Sequence, residues 1–368
     1  MTDLAVADRR VFGAFQAGQI VASAFWHDMR QWWHGRSVRM AGVSAVMVAP
    51  EFRGQGVGRR LMTGVLAAID RRGYPVSVLY PATTPIYRSL GWELAGGQYR
   101  VSLPARSLRS LLASDFSRTT PGTLADEPAG AVHNAAFQRA TPDDAARVVE
   151  IVGRAHELAR HAGPNTRDAE SVAGWLADPD LFAYVAADGF LAYRWDRHEI
   201  AVERIIAVTE RTARELWSIV ASHSTVADTV TARVGPADPV FWLTREPDAH
   251  LRHHEMWMLR LVDVAGAVAA RGFPMSAQLS LPLNIQDEAR DGNSGLWELS
   301  VTGGRGTLVR LPEATRPLTI GARGLAALYG GAPMASLRQA GLATGGDPVA
   351  DGELDGAFGG ASFLLDSF

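Results

Sequence analysis

Val-Met-Val-Ala-Pro-Glu-Phe-Arg-Gly-Gln-Gly-Val-Gly, residues 46–58, runs from a β-strand pattern through a glycine-spaced loop into an amphipathic helix pattern. The strand pattern ends at Pro50, and the helix is expected to begin near Gly58. A turn of this kind points unpaired backbone N–H groups and the positive end of a helix at one spot, which suits an anion. Gly54, Gly56 and Gly58 lack Cβ atoms, so the loop can turn tightly and a phosphate can approach the backbone. The implied ligand is a phosphorylated cofactor.

Three cofactor classes fit such a loop, and its neighbours discriminate between them. A nucleoside-triphosphate loop needs a lysine followed by Ser or Thr. Here Arg59, Arg60 and Leu61 follow, and the chain has no lysine anywhere. A dinucleotide fold wants an acid at the end of the second strand. Val76–Tyr80 instead runs into Pro81, Ala82 and Thr83. The remaining pattern, Arg-x-x-Gly-x-Gly on Arg53, Gly56 and Gly58, resembles the acetyl-CoA pyrophosphate loop of GNAT acyltransferases. Taken alone, it also fits an ordinary strand–turn–helix connection.

Composition narrows the setting. At 368 residues and 47% hydrophobic, the chain has material for two or three packed cores. A formal net charge of −3 argues against a nucleic-acid grip driven by counterion release. The absence of cysteine excludes disulfides, thiolate metal sites and a cysteine nucleophile. The absence of lysine excludes Schiff-base chemistry. No apolar run approaches the roughly 20 residues that span a bilayer, and residues 1–10 lack a signal-peptide pattern, so a cytoplasmic protein is expected. His253-His254-Glu255 does not match the His-Glu-x-x-His zinc pattern and reads as a solvated helix entry; no metal site is expected. There is no Gly-x-Ser-x-Gly elbow for a serine hydrolase.

Along the first hundred residues, Arg10–Phe15 and Ile20–Phe25 predict a hairpin around Gln-Ala-Gly, and Val38–Val48 a longer strand. The helix after Gly58 carries Leu61, Met62, Val65, Leu66 and Ile69 on one face and stops at Gly73. A short helix follows, with Thr84 as its cap and Pro85 at its first position, which places Tyr87 in its first turn. Residues 104–135 read as a surface linker. From 136 a second α/β section repeats the strand–helix order without an Arg-x-x-Gly-x-Gly loop. From about 257 a third section alternates short strands with Gly/Pro turns, then helices near 321–329 and 333–342, and closes on the apolar tail Ala-Ser-Phe-Leu-Leu-Asp-Ser-Phe368.

Acetyl transfer from a thioester to an amine needs a held pyrophosphate, a base for the amine, a donor for the developing oxyanion and a proton for the thiolate. The loop at 53–58 supplies the first, and a backbone N–H near Val48 is the natural oxyanion donor. A tyrosine can protonate a thiolate, since thiols titrate near about 8.5 and phenols near about 10. Tyr87 stands at the strand-to-helix junction for that task; a packing aromatic under the loop is its other reading. Phe25, Trp26, His27 and Asp28, then Trp32-Trp33, form an aromatic and acidic stretch on the expected acceptor side, fitting either substrate contact by Phe25, Trp26 and Asp28 or hairpin packing.

Val-Ala-Pro-x-x-Arg-x-x-Gly at 48–56, followed by Ile-Tyr-Arg-x-x-Gly-Trp at 86–92, resembles the Eis (enhanced intracellular survival) family of acetyltransferases. Asp-Gly-Phe-Leu-Ala-Tyr-Arg-Trp-Asp-Arg (188–197), Leu259–Gly272 and the ending Leu-Asp-Gly-Ala-Phe…Phe (354–368) extend the resemblance over nearly the whole chain. It implies an α/β (α+β) fold of tandem GNAT-like domains, the second degenerate, followed by a sterol-carrier-protein-like α/β domain. The corresponding bounds are 1–104, 105–256 and 257–368. It implies acetyl-CoA as cofactor, primary amines as substrates, with aminoglycosides acetylated at several positions, direct transfer in a ternary complex, and a homohexamer.

By the same resemblance, Val46 and Val48, flanking Met47, pair with the pantetheine amides. Arg53, Gly54, Gln55, Gly56, Val57 and Gly58 hold the pyrophosphate, and Ala82 lies near the cofactor. Tyr87 is the general acid and the α-carboxylate of Phe368 the general base. Several positions depart from the family. Gly54 and Gln55 stand where arginines are common, Ala82 where a serine is frequent, and Ser367 where an acid often precedes the terminal Phe. The family's usual strand and two helices before the first hairpin are missing, which implies an upstream start or a more open acceptor site. A silent acyl-CoA- or lipid-binding regulatory protein, and an enzyme acetylating protein amines, are the alternative functions.

Overall fold

The computed structural model describes residues 10–112, 137–246 and 248–368. Two compact units form from non-contiguous segments. One holds the residues up to Gly97 together with Arg160–Asn165 and Glu255–Phe368, and the other holds Gln98–Ala159 and Thr166–His254. The N-terminal and C-terminal regions, expected as separate stretches, therefore share one unit. The linker expected at 104–135 falls outside the described residues from 113 onward; Ala105–Leu111 is a short 3-10 helix.

In the first unit, β1 (Val11–Gln16), β2 (Gln19–Trp33) and β3 (Arg36–Val48) form an antiparallel meander. Both hairpin turns, Ala17-Gly18 (φ 49° and 80°) and His34-Gly35 (φ 43° and 84°), have two successive positive-φ residues, the twist that tight hairpins favour. Helix α1 (Val57–Arg71) then leads back to β4 (Val76–Leu79), which pairs parallel to β3. Helix α2 (Pro85–Arg88) and β5 (Glu93–Pro104) follow.

The strand His250–Leu261 corrects the sequence reading. Its later part pairs antiparallel with β4, Met258 opposite Leu79 and Leu261 opposite Val76, and the sheet order places it between β4 and β5. The solvated helix entry expected around His253 is thus a strand. Its stretch from Trp257 to Leu261 is buried without a break, Arg260 being paired with the buried Asp287, which fits a central strand covered on both faces.

Each face of this sheet has its own core. Trp26, Ala41 and Val43 pack with Leu61, Met62, Val65, Leu66 and Ile69 of α1. At roughly 1.5–3 kcal/mol for each buried side chain, that face accounts for most of what holds α1 in place. Met29, Trp33 and Met40 on the opposite face share a core with the C-terminal region. There a five-stranded sheet has the order Arg305–Arg310, Gly295–Thr302, Leu279–Gln286, Leu318–Gly321, Ala343–Gly345. Arg271 is fully buried among the rings of Trp33, Tyr329, Phe358 and Phe273, and donates to the carbonyls of Tyr329 and Phe358. Ring faces and carbonyl dipoles together offset much of the cost of desolvating a cation.

The second unit repeats the strand–helix order. Strand Glu199–Ala207 pairs antiparallel with Gly189–Asp196 and parallel with Thr229–Val234, and helix Glu210–Ala221 follows. Helix Ala145–Leu158 and strand Phe182–Ala186 contribute to a further core.

Candidate active site

The site begins with an irregularity in β3. Phe25 pairs with Ser44, but Ser23 pairs with Met47, so β3 carries one extra residue there, and Ala45 takes φ 49°. Such a bulge reverses the alternation of side chains. Before it, Ala41 and Val43 face α1; beyond it, Val46 and Val48 do. Parallel pairing with β4 stops at Val43 opposite Leu79, while β3 runs on to Val48. The two strands therefore part, leaving a free edge from Ser44 to Val48.

Strand alternation decides which backbone groups that edge offers. The Ala49 N–H donates to the Val21 carbonyl at 2.9 Å, so Met47 also turns its backbone toward β2. Val46 and Val48 turn theirs toward the gap. The Val48 carbonyl accepts from Arg53 Nε at 3.2 Å, which ties the loop to the strand and leaves the Val48 N–H as the donor facing the gap.

The loop delivers what its glycines suggest. Gly54 and Gly56 have φ of 75° and 72°, and Gly56 is the N-cap of α1 in the left-handed conformation. No side chain caps α1 and no acid occupies its first turn. The first intrahelical bond runs from the Arg60 N–H to the Gly56 carbonyl at 3.1 Å, so the N–H groups of Val57, Gly58 and Arg59 have no helical acceptor. Gln55 Nε2 donates to the Glu51 carbonyl at 2.9 Å and Arg60 Nη1 to the Gln55 carbonyl at 3.3 Å, bracing the turn from both sides. A Cβ on Gly58 would stand 3.0 Å from Ile86 Cδ1, so glycine is what lets α2 approach the loop. Uncapped donors, a first helical turn without an acid and the exposed arginines Arg53 and Arg59 fit a pyrophosphate.

Tyr87 lies on α2, 6% exposed, with its ring edge-on to Trp92 at 6.4 Å. Burial pushes its phenol above the ordinary value, so it keeps its proton at neutral pH. Ala82 is exposed just beyond β4.

The tail meets the same region from the other face of the sheet. Phe363–Leu364 pairs with β5, Ser362 Oγ donates to the Ala95 carbonyl, and Leu364 and Leu365 are buried. Tyr80 Oη donates to the Asp366 carbonyl at 2.9 Å, and Asn165 Nδ2 to Asp366 Oδ2 at 3.3 Å. The Phe368 ring then rests on β3, where a Cβ at Gly42 would stand 2.9 Å from it. It also lies 5.5 Å from the Tyr80 ring and 6.2 Å from His27.

The aromatic and acidic stretch on β2 divides between faces. Phe25 and His27 lie edge-on at 4.7 Å, on the side that carries Phe368. Trp26 and Asp28 do not join them. Trp26 is wholly buried against Phe12 in the α1 core, and Asp28 pairs with Arg39 through both carboxylate oxygens. Tyr80, Asn165, Ser44 and His27 are further candidate site residues that no sequence motif marks; of these, only His27 stands within the aromatic and acidic stretch on β2.

The second unit shows why a repeated fold need not keep the site. Strand Glu199–Ala207 has its own register shift between Val202 and Arg204, and its parallel pairing stops at Val202. Glu203, at that shift, accepts from Trp175 Nε1 at 3.1 Å and Arg194 Nε at 2.7 Å. The following helix is capped by Thr209, whose side chain accepts from the Thr212 N–H, and Glu210 stands in its first turn. A filled cap and a carboxylate disfavour a phosphate there.

Comparison with known proteins agrees with this geometry. Models of an acetyltransferase (GNAT) domain match residues 2–95 and, separately, 163–261, and a sterol carrier protein domain matches 264–362. The crystal structure of a GCN5-related N-acetyltransferase from Kribbella flavida is 44% identical with a TM-score of 0.88, covering 98% of this chain and 88% of that one. An uncharacterized N-acetyltransferase of Streptomyces griseus is 29% identical over 364 residues, 88% of this chain and 82% of that protein. N-acetyltransferase Eis of Mycobacterium tuberculosis is 27% identical over 307 residues, 78% of this chain and 71% of that protein.

Proposed function

This chain belongs to the GCN5-related N-acetyltransferases, in the Eis family, and we propose that it transfers acetyl groups from acetyl-CoA to primary amines, aminoglycosides among them, at several positions of one acceptor. Transfer is direct, within a ternary complex. The observation that carries this reading is the parting of β3 from β4 beyond Val43 and Leu79, with the uncapped start of α1 at one end and Phe368 packed on β3 at Gly42.

Bound acetyl-CoA would supply the acetyl group as a thioester. The N–H groups of Val57, Gly58 and Arg59, with Arg53, would hold its pyrophosphate, and the outward-facing backbone of Val46 would orient its pantetheine arm. The Val48 N–H stabilises negative charge developing on the acetyl oxygen. Tyr87 donates its phenolic proton to the departing sulfur, and the buried, proton-retaining phenol suits that role. The α-carboxylate of Phe368 acts as base toward the amine, and Tyr80 and Asn165 hold the tail that carries it.

The proposal extends to a cytoplasmic homohexamer with sequence domains at 1–104, 105–256 and 257–368. Among the described residues no helix is long and apolar enough to cross a membrane. The test is thiol release from acetyl-CoA across a panel of polyamines, aminoglycosides and lysine peptides, with acetyl groups counted by mass spectrometry. Multiple acetylation of an aminoglycoside is expected. Thiol release with lysine peptides alone would move the assignment to protein amines, and none with any acceptor would refute it.

A further inference from the structure

Amide formation from an ammonium group requires nitrogen to lose two protons, and the site described so far offers only the Phe368 carboxylate to receive them. The first proton is the harder one. Alkyl ammonium groups titrate near about 10, carboxyl termini near about 3.5 and imidazoles near about 6.5, so an imidazole is the better acceptor by about three decades. The second proton, acidified once nitrogen has bonded to the acetyl carbon, needs only a weak base.

His27 stands where that first acceptor is needed. It is half-buried on β2, opposite Gly42 of β3. Its Nε2 lies 3.2 Å from Ser44 Oγ, and Ser44 is the residue before Ala45, where β3 bulges and opens toward the gap. Its ring centroid lies 6.2 Å from that of Phe368 and 4.7 Å from that of Phe25, both in edge-type arrangements. Imidazole and terminal residue thus flank one spot on the sheet. The titratable groups on the elements around it are Tyr80 at the end of β4, and Asp366 and the terminal carboxylate in the tail. Arg10 precedes β1, and the neighbouring residues 162–165 carry no titratable side chain. Asp28 and Arg39 neutralise one another on the opposite face.

We propose that His27, hydrogen-bonded to Ser44, takes the first proton from the acceptor ammonium, and that the Phe368 carboxylate takes the second. This rests on the acetyl-transfer reading above. Nitrogen gives one proton to the imidazole, and its freed lone pair forms the C–N bond to the acetyl carbon. The C–S bond breaks with its electron pair going to sulfur, which takes the Tyr87 proton. The second N–H proton passes to the carboxylate. One of the two protons then restores Tyr87 and the other goes to solvent.

The test compares two acceptors: an ordinary alkyl amine, and 2,2,2-trifluoroethylamine, which is largely neutral at pH 7. His27→Gln should lower kcat/KM about 100-fold for the alkyl amine and less than about fivefold for the neutral one, with the KM for acetyl-CoA unchanged. Ser44→Ala should show the same selectivity at about tenfold, and it carries the test if the His27 variant does not fold. Equal losses with both amines, or wild-type rates in the folded variants, would overturn the proposal. A wild-type protein inert toward every amine would remove the acetyl-transfer reading and this role with it.

Discussion

The ring of Phe368 covers Gly42 so closely that a methyl group at position 42 would stand 2.9 Å from it, with Met29 Sδ equally near on the other side. The last residue is therefore seated by a missing side chain on β3. Gly42→Val should push the ring, and the carboxylate behind it, off the sheet. We expect kcat to fall at least about tenfold, with acetyl-CoA affinity within about twofold and a stability loss of about 1–3 kcal/mol from overpacking. Steady-state kinetics with calorimetric cofactor binding checks this, and unchanged kcat would separate the ring's seat from catalysis.

Tyr80→Phe removes the donor to the Asp366 carbonyl and keeps the ring beside Phe368. A net hydrogen bond of about 1 kcal/mol corresponds to roughly fivefold more frequent opening of the tail. Release of Phe368 by a carboxypeptidase should speed up by that factor, and kcat should fall modestly. An unaltered release rate would mean that contacts other than the Tyr80 hydroxyl hold the tail.

Much of this architecture is legible in the sequence. The glycine spacing at 54–58 announces a tight turn into an uncapped helix start because positive φ and capping are local properties. Tyr87 follows from Thr84 and Pro85, which fix where α2 begins. The acceptor side was not legible. Whether His27 or Asp28 faces Phe368 depends on cross-strand register, and one extra residue at Ala45 reverses the alternation of β3 beyond Ser44. Tyr80 and Asn165 become site residues only because the tail returns to them from 286 and 201 positions away in sequence. The strand His250–Leu261 escaped for a similar reason: it enters a sheet whose neighbouring strands come from the first hundred residues.

Replacing Arg271 by Met keeps the volume but leaves the Tyr329 and Phe358 carbonyls without their charged donor. Hydrogen bonds to charged groups are worth about 1.5–3 kcal/mol each, so a loss of about 3 kcal/mol is expected after the gain from not burying a cation. Denaturant unfolding would measure it, and a neutral or stabilising effect would show that desolvation of the guanidinium cancels its contacts.

Stability should depend on pH through His34 and His161. Burial holds both imidazoles down to about 4, and for His34 the neighbouring Arg271 and Arg160 add to the effect. Between about pH 6.5 and 4 the unfolded chain binds these protons and the folded chain does not, so stability is full above that window and falls as pH drops through it. Partial exposure discounts the effect to roughly 1–2 kcal/mol for each group. Replacing both by Gln should flatten the profile between pH 6.5 and 4, and an unchanged slope would assign the acid sensitivity to other groups.

In the proposed mechanism Tyr87 donates the proton that lets the thiol leave. That role is measured in Tyr87→Phe, assayed for thiol release with acetyl-CoA and the best amine of the panel, alongside calorimetric binding of the cofactor. We expect kcat to fall about 100-fold or more, with the Kd for acetyl-CoA within about twofold of wild type. Turnover equal to wild type in a folded Tyr87→Phe protein would contradict it.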